Sequence, residues 1–220
     1  MQQEIIHVYL MPGLAANPII FEHIKLPEDQ FKIHWLEWMI PDKKETLESY
    51  AKRMILNIEH DNVVLLGVSF GGILVQEMSK YLVLKKLFVV SSVKSMHELP
   101  KRMKVMKYTK AYKILPTQLV SNIDVLAKYA FGETIIKRIE LYKKYLSVSN
   151  KQYLDWAIEN VIEWNQEKPN KNAIYIHGDK DAVFPNSCTG NVIVIKGGSH
   201  IMVINKYKWF NENLPKLILQ

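Results

Sequence analysis

A run of four apolar residues, Val63-Val64-Leu65-Leu66, leads directly into Gly67-Val68-Ser69-Phe70-Gly71, and a helical pattern through Ile73, Leu74, Glu77, Met78 and Tyr81 follows. Strand, tight turn and helix in that order are the context a Gly-x-Ser-x-Gly pentapeptide needs to act as a nucleophile elbow. The serine has to stand on a sharp, strained turn with its hydroxyl projecting into a site. Its neighbours must therefore be small enough for strand and helix to approach one another, which is the use of glycine here.

The rest of the chain repeats the same alternation. Short β-branched or aromatic runs occur at Ile5–Leu10, Phe31–Trp38, Val63–Leu66, Lys86–Val90, Ala173–His177 and Val192–Ile195. Most are continuously apolar, as strands buried on both faces of a parallel sheet are. Between them, apolar residues recur at helical spacing over Glu45–Glu59, over Phe70–Leu84, and from Met202 through Tyr207 and Phe210 to a stop before Pro215. Strand–helix–strand succession with right-handed crossovers predicts an α/β fold with a mostly parallel, doubly wound six-stranded sheet. The alternation breaks over residues 94–164, which carry only amphipathic stretches: Pro100–Tyr112, Pro116–Phe131, Gly132–Leu146 and Asn150–Trp164. The expected organisation is thus one core, residues 1–93 and 165–220, with residues 94–164 as a helical cap insertion over the carboxyl edge of the sheet.

Two further strand ends carry groups that could activate a serine. A serine hydroxyl needs a base held against it by a third group. Ala173–His177 runs into Gly178-Asp179-Lys180-Asp181, with Pro185 beyond, and Val192–Ile195 runs into Lys196-Gly197-Gly198-Ser199-His200. Ligand-binding groups of open α/β sheets gather at the carboxyl ends of strands, where Ser69, the Asp179/Asp181 pair and His200 all fall. Their chain order is Ser, Asp, His.

These residues resemble those of the α/β-hydrolase fold superfamily, and the similarity spans essentially the whole chain. The elbow is Gly67-Val68-Ser69-Phe70-Gly71-Gly72, the acid loop Gly178-Asp179-Lys180-Asp181 with Pro185, and the base loop Gly197-Gly198-Ser199-His200. The resemblance implies a catalytic triad of Ser69, Asp181 and His200, with Asp179 as a neighbour. It also implies an oxyanion hole formed by the backbone N–H groups of Leu14 and Phe70. The loop Met11-Pro12-Gly13-Leu14 matches the commoner His-Gly-x, with Pro12 in the place of a histidine that often organises this loop. The family's usual N-terminal antiparallel strands are missing, since the chain begins at what would be the third strand. The activity implied is that of a small serine esterase, a carboxylic ester hydrolase working through an acyl-enzyme. Acyl transfer or cofactor-free peroxidase or lyase chemistry on the same triad is the alternative, as is a non-catalytic ligand-binding or interaction protein on this scaffold.

Composition narrows the setting. The chain has 220 residues, 48% of them hydrophobic and 23% charged, as an ordinary globular protein does. No run approaches the roughly 18 apolar residues of a membrane span. The start, Met1-Gln2-Gln3-Glu4, has no basic leader, and a single cysteine, Cys188, forms no internal disulfide, so a cytoplasmic setting is expected. Cys188 reads as a small loop residue. No glycine-rich loop of the Walker or dinucleotide type is present, and no cofactor is expected. His7, His23, His34, His60 and His97 show no metal-ligand spacing, so no metal is expected, and His177 reads as structural. Trp35, Trp38, Trp156 and Trp164 read as packing residues.

The net charge of +7 is concentrated: residues 94–151 hold thirteen Lys and Arg against Glu98, Asp124, Glu133 and Glu140, a local excess of +9. Three readings stand side by side. The segment is a solvated outer face, an electropositive cap steering an anionic substrate or acidic partner, or a peripheral membrane contact through Met103, Val105, Met106 and Tyr108. Nucleic-acid binding has nothing but charge to support it. The expected partner is a small-molecule ester or related acyl substrate.

Overall fold

The computed structural model describes residues 4–114, 144–185 and 190–220. Six strands form one sheet: β1 (Ile6–Met11), β2 (Phe31–Trp35), β3 (Val63–Val68), β4 (Lys86–Val90), β5 (Ala173–Gly178) and β6 (Val192–Ile195). Their order across the sheet is β2-β1-β3-β4-β5-β6, and every neighbouring pair is parallel. All six apolar runs become strands. The second ends three residues early, at Trp35, because the chain turns out of the sheet and sends Trp38 to stack on Phe70, with ring centroids 4.9 Å apart.

Helices α1 (Leu47–Ile55) and α2 (Phe70–Met78) pack against one another. A 3-10 turn at Pro18–Phe21 meets α5 (Met202–Asn205) and touches β1. With α6 (Tyr207–Leu219) after it, this completes the helices of a doubly wound sheet. Each residue of α2 is buried, so this helix is enclosed on all sides and has no polar stripe. Its two polar members are satisfied internally. Gln76 Nε2 donates to the Gly72 and Val93 carbonyls at 3.0 and 3.1 Å, and Glu77 Oε1 accepts from the Trp164 indole at 2.9 Å.

The last helix runs past the expected stop: Pro215 lies inside α6. A proline there forgoes one backbone hydrogen bond and costs about 3 kcal/mol in an isolated helix. Phe210, Leu214 and Ile218 are all fully buried at four-residue spacing, and burying Ile218 requires the helix to continue. Burial outweighs the missing bond.

Of residues 94–164, the described parts are helical: α3 (Lys101–Thr109), 3-10 turns at Met96–Glu98 and Ala111–Ile114, and α4 (Lys151–Glu163), which touches both α3 and α2. The stretch Pro116–Phe131, most of Gly132–Leu146, and Cys188 lie outside the described residues. Much of the described basic charge is locally compensated. Lys94 pairs with Glu98 at 2.8 Å, Lys110 with Glu163 at 2.7 Å, Lys144 with Glu22 at 2.6 Å and Lys151 with Asp155 at 2.5 Å. Glu163, Glu22 and Asp155 lie outside residues 94–151, so the sequence tally overstates the local field. Among the described residues no helix is long and apolar enough to cross a membrane.

Candidate active site

The turn after β3 is as tight as the pentapeptide requires. Ser69 has φ 55° and ψ −120°, a strained combination for a residue with a side chain. The strain persists because its surroundings fix it: Ser69 N–H donates to the Val90 carbonyl at 2.9 Å, and the Ser69 carbonyl accepts from Ser92 Oγ at 2.7 Å and Gly72 N–H at 2.9 Å. A methyl on Gly67 would collide with the Gly71 carbonyl, and one on Gly71 with the carbonyls of Met11 and Pro12. Strand, helix and the loop after β1 therefore meet backbone to backbone.

The acid and base loops are joined in the same manner. Lys180 N–H donates to the Gly198 carbonyl at 2.9 Å and Asp179 N–H to the Ile195 carbonyl at 3.3 Å, while a side chain on Gly178 would collide with Gly198. The two acids of the loop are put to different uses. Asp179 Oδ1 accepts from Gly197 N–H at 2.6 Å and so braces the glycine turn. Asp181 turns inward, with Oδ1 accepting from the N–H groups of Val183 and Phe184 at 2.8 and 3.0 Å, and Oδ2 lying 2.9 Å from His200 Nδ1. His200 Nε2 is in turn 2.9 Å from Ser69 Oγ.

Proton positions follow from the acceptors. A carboxylate only accepts, so His200 Nδ1 carries the hydrogen and Nε2 of the neutral ring presents a lone pair to the serine hydroxyl. Asp181 is 5% exposed. Burial alone would raise its pKa, but the His200 charge and hydrogen bond, the Phe184 N–H and the nearby His177 outweigh it and hold the carboxyl below its ordinary range. The Phe184 ring stands edge-on to His200 at 5.6 Å, fixing the imidazole from the side.

The loop after β1 lies beside the serine, since a methyl built on Gly13 would stand 3.3 Å from Ser69 Cβ. Neither Leu14 N–H nor Phe70 N–H donates to another described backbone group. The Gly13 carbonyl, in the same peptide unit as the Leu14 N–H, accepts from the Trp38 indole at 2.9 Å and from Ala16 N–H at 3.1 Å. Trp38 thus supplies an anchor for the loop that carries Pro12 and Gly13. Sequence reasoning read it as packing only. The pattern carries no signal for this role, because the indole reaches the loop only by leaving β2 early.

The chain has the α/β-hydrolase fold, and the solved structures similar to it over nearly their whole length share that fold. They include an enol-lactonase from Burkholderia xenovorans LB400, with 11% identity, a TM-score of 0.73, and 99% of this chain and 92% of that one covered. A bromoperoxidase from Bacillus anthracis is 20% identical at a TM-score of 0.68, with 99% and 93% covered. A thermophilic esterase from Thermogutta terrifontis is 12% identical at a TM-score of 0.64, with 99% and 91% covered. No protein-family model matches the sequence, and no curated protein matches it either.

Proposed function

We propose that the protein is a serine hydrolase that cleaves carboxylic esters, lactones included, through an acyl-enzyme on Ser69. The observation that carries this reading is the continuous chain of contacts from Ser69 Oγ to His200 Nε2 and from His200 Nδ1 to Asp181 Oδ2, each 2.9 Å long. Ser69 Oγ attacks the ester carbonyl carbon as His200 Nε2 takes its proton. Asp181 keeps the ring in the required tautomer and stabilises the imidazolium. The oxyanion that develops is held by the N–H groups of Leu14 and Phe70, neither of which donates to a backbone acceptor among the described residues. His200 then protonates the departing alkoxide. In the second half-reaction it takes a proton from water as the water oxygen attacks the acyl carbon, then gives that proton to Ser69 Oγ as the acyl–Oγ bond breaks and the acid leaves.

The enzymatic reading is preferred to a binding module because the strain at Ser69 is a cost that recognition alone would not require. Residues 94–164, acting as a helical cap, would shape the acyl or alcohol pocket, with a small-molecule ester as the partner. Arg102 of α3 already reaches the acid loop, donating to the Val183 carbonyl at 3.3 Å.

Labelling by a fluorophosphonate probe, together with hydrolysis of a chromogenic short-chain ester and a simple lactone, tests the proposal. The wild type should label and turn over at least one of the two substrates, whereas Ser69→Ala should do neither while keeping its far-ultraviolet circular dichroism. Comparable turnover by the Ser69→Ala protein would overturn it.

A further inference from the structure

Three histidines from three separate segments converge away from the serine site. His7 lies near the start of β1, His34 on β2, and His60 in the connection from α1 to β3. Parallel pairing sets His7 opposite Lys32 and Tyr9 opposite His34, and also places β1 beside β3, so the segment leading into β3 returns to the same end of the sheet. His7 Nδ1 and His34 Nε2 face each other at 2.9 Å. The His7 and His60 rings stack with centroids 3.8 Å apart, and one nitrogen from each of the three rings lies within 4.8 Å of the other two. This grouping corrects the expectation drawn from spacing that these histidines form no ligand cluster. Sheet pairing brings together residues whose separation in the chain carries no metal signature.

We propose that His7, His34 and His60 form a binding site for one divalent cation of the zinc class, with water completing the coordination. Nitrogens around a tetrahedral zinc, at about 2.0–2.1 Å from the metal, stand roughly 3.3 Å apart. The facing His7 and His34 nitrogens therefore need to open by only a few tenths of an ångström. A donor set of imidazoles suits zinc, nickel, cobalt or copper, and not magnesium or calcium, which take oxygen. A supporting layer is present as well. The Tyr9 hydroxyl is 2.7 Å from His60 Nδ1, accepts from Glu59 N–H at 3.2 Å, and so fixes that ring.

The cluster lies far from the serine. From His7 to Met11 the strand advances by roughly 13 Å at about 3.3 Å per residue, and only beyond Met11 comes the loop beside Ser69. A cation here would act as a clip. It would tie edge strand β2, whose one sheet partner among the described residues is β1, to β1 and to the segment entering β3.

Calorimetric titration of chelator-stripped protein with zinc chloride, repeated with cobalt(II) for its visible d–d bands, tests the site. One equivalent should bind, cobalt should give tetrahedral bands, and the unfolding temperature should rise with zinc concentration. His34→Ala and His60→Ala should each weaken zinc binding at least about ten-fold, as should Tyr9→Phe to a smaller extent, while His23→Ala leaves it unchanged. If an alanine variant fails to fold, the imidazole resonances of the wild type supply the readout, since zinc should shift those of His7, His34 and His60. Absence of saturable zinc binding overturns the proposal, as does equal affinity in folded His34→Ala and His60→Ala proteins, or zinc-induced shifts confined to other histidines.

Discussion

His177 Nε2 lies 3.2 Å from Asp181 Oδ2, the same carboxylate oxygen that His200 Nδ1 approaches at 2.9 Å. The same His177 nitrogen is 3.0 Å from the Phe184 carbonyl, and with two acceptors before it, it must carry the hydrogen. A residue that read as structural in the sequence is therefore a positioning residue for the acid. A hydrogen bond to a buried charge is worth roughly 1.5–3 kcal/mol. His177→Phe should accordingly lower kcat about ten-fold with little change in KM, and His177→Gln, which keeps a donor, should recover part of that loss. Steady-state kinetics on the two variants check this.

The same histidine predicts a pH dependence of stability. Burial, its largest influence, holds the His177 pKa below its ordinary 6.5 despite the opposing pull of Asp181 and the Phe184 carbonyl. Below pH 6.5 the unfolded chain takes up a proton that the folded protein refuses. Stability is thus complete above that pH and is lost as pH falls through the folded value, at up to about 1.4 kcal/mol per pH unit for one proton. Asp181, lowered from 3.8, adds a second loss of the same sign under stronger acid. Denaturant unfolding between pH 7 and pH 5 should give a shallower slope for His177→Gln than for the wild type.

The two acids of the β5 loop should separate cleanly. Asp181→Asn should reduce kcat by about 10⁴ because it favours the wrong histidine tautomer. Asp179→Asn removes only the brace on Gly197 N–H and should cost less than about ten-fold. Parallel kinetics on the two variants decide the matter, and equal losses would show that Asp179 is more than a brace.

Trp38 offers a test of the loop after β1. Trp38→Phe keeps an aromatic ring against Phe70 but deletes the hydrogen bond to the Gly13 carbonyl. The Leu14 N–H would then lose its fixed direction rather than its existence. The expected loss is smaller than the about 10²–10³ typical of deleting an oxyanion donor, and should fall on kcat. Comparing kcat and KM between Trp38→Phe and wild type measures it.

Gly71→Ala should be among the most damaging small substitutions. The added methyl meets the carbonyls of Met11 and Pro12, backbone atoms that cannot rotate away. We expect destabilisation of more than about 3 kcal/mol in denaturant unfolding, together with loss of fluorophosphonate labelling.

What could be read from the chain alone follows a physical division. Ser69 was legible because an elbow is local, five residues between a strand and a helix. His200 and the Asp179/Asp181 pair were legible because position at a strand end is also a local property. Trp38 and the trio His7, His34 and His60 were not, since their neighbours come from lateral strand pairing and from where β2 stops. The run of α6 through Pro215 escaped for a related reason, as local backbone preference opposed it and tertiary burial of Ile218 prevailed.

The backbone junction between the acid and base loops has a mechanical consequence. Asp181 and His200 ride on one welded piece formed by the ends of β5 and β6, whereas Ser69 sits on the turn that follows β3, with β4 between them. Any shift of β3 against β5 would therefore preserve the histidine–aspartate spacing and alter the gap between Ser69 Oγ and His200 Nε2. In the proposed mechanism the first proton transfer crosses from one piece to the other, so the rate of attack should answer to whatever stiffens or loosens the span from β3 to β5.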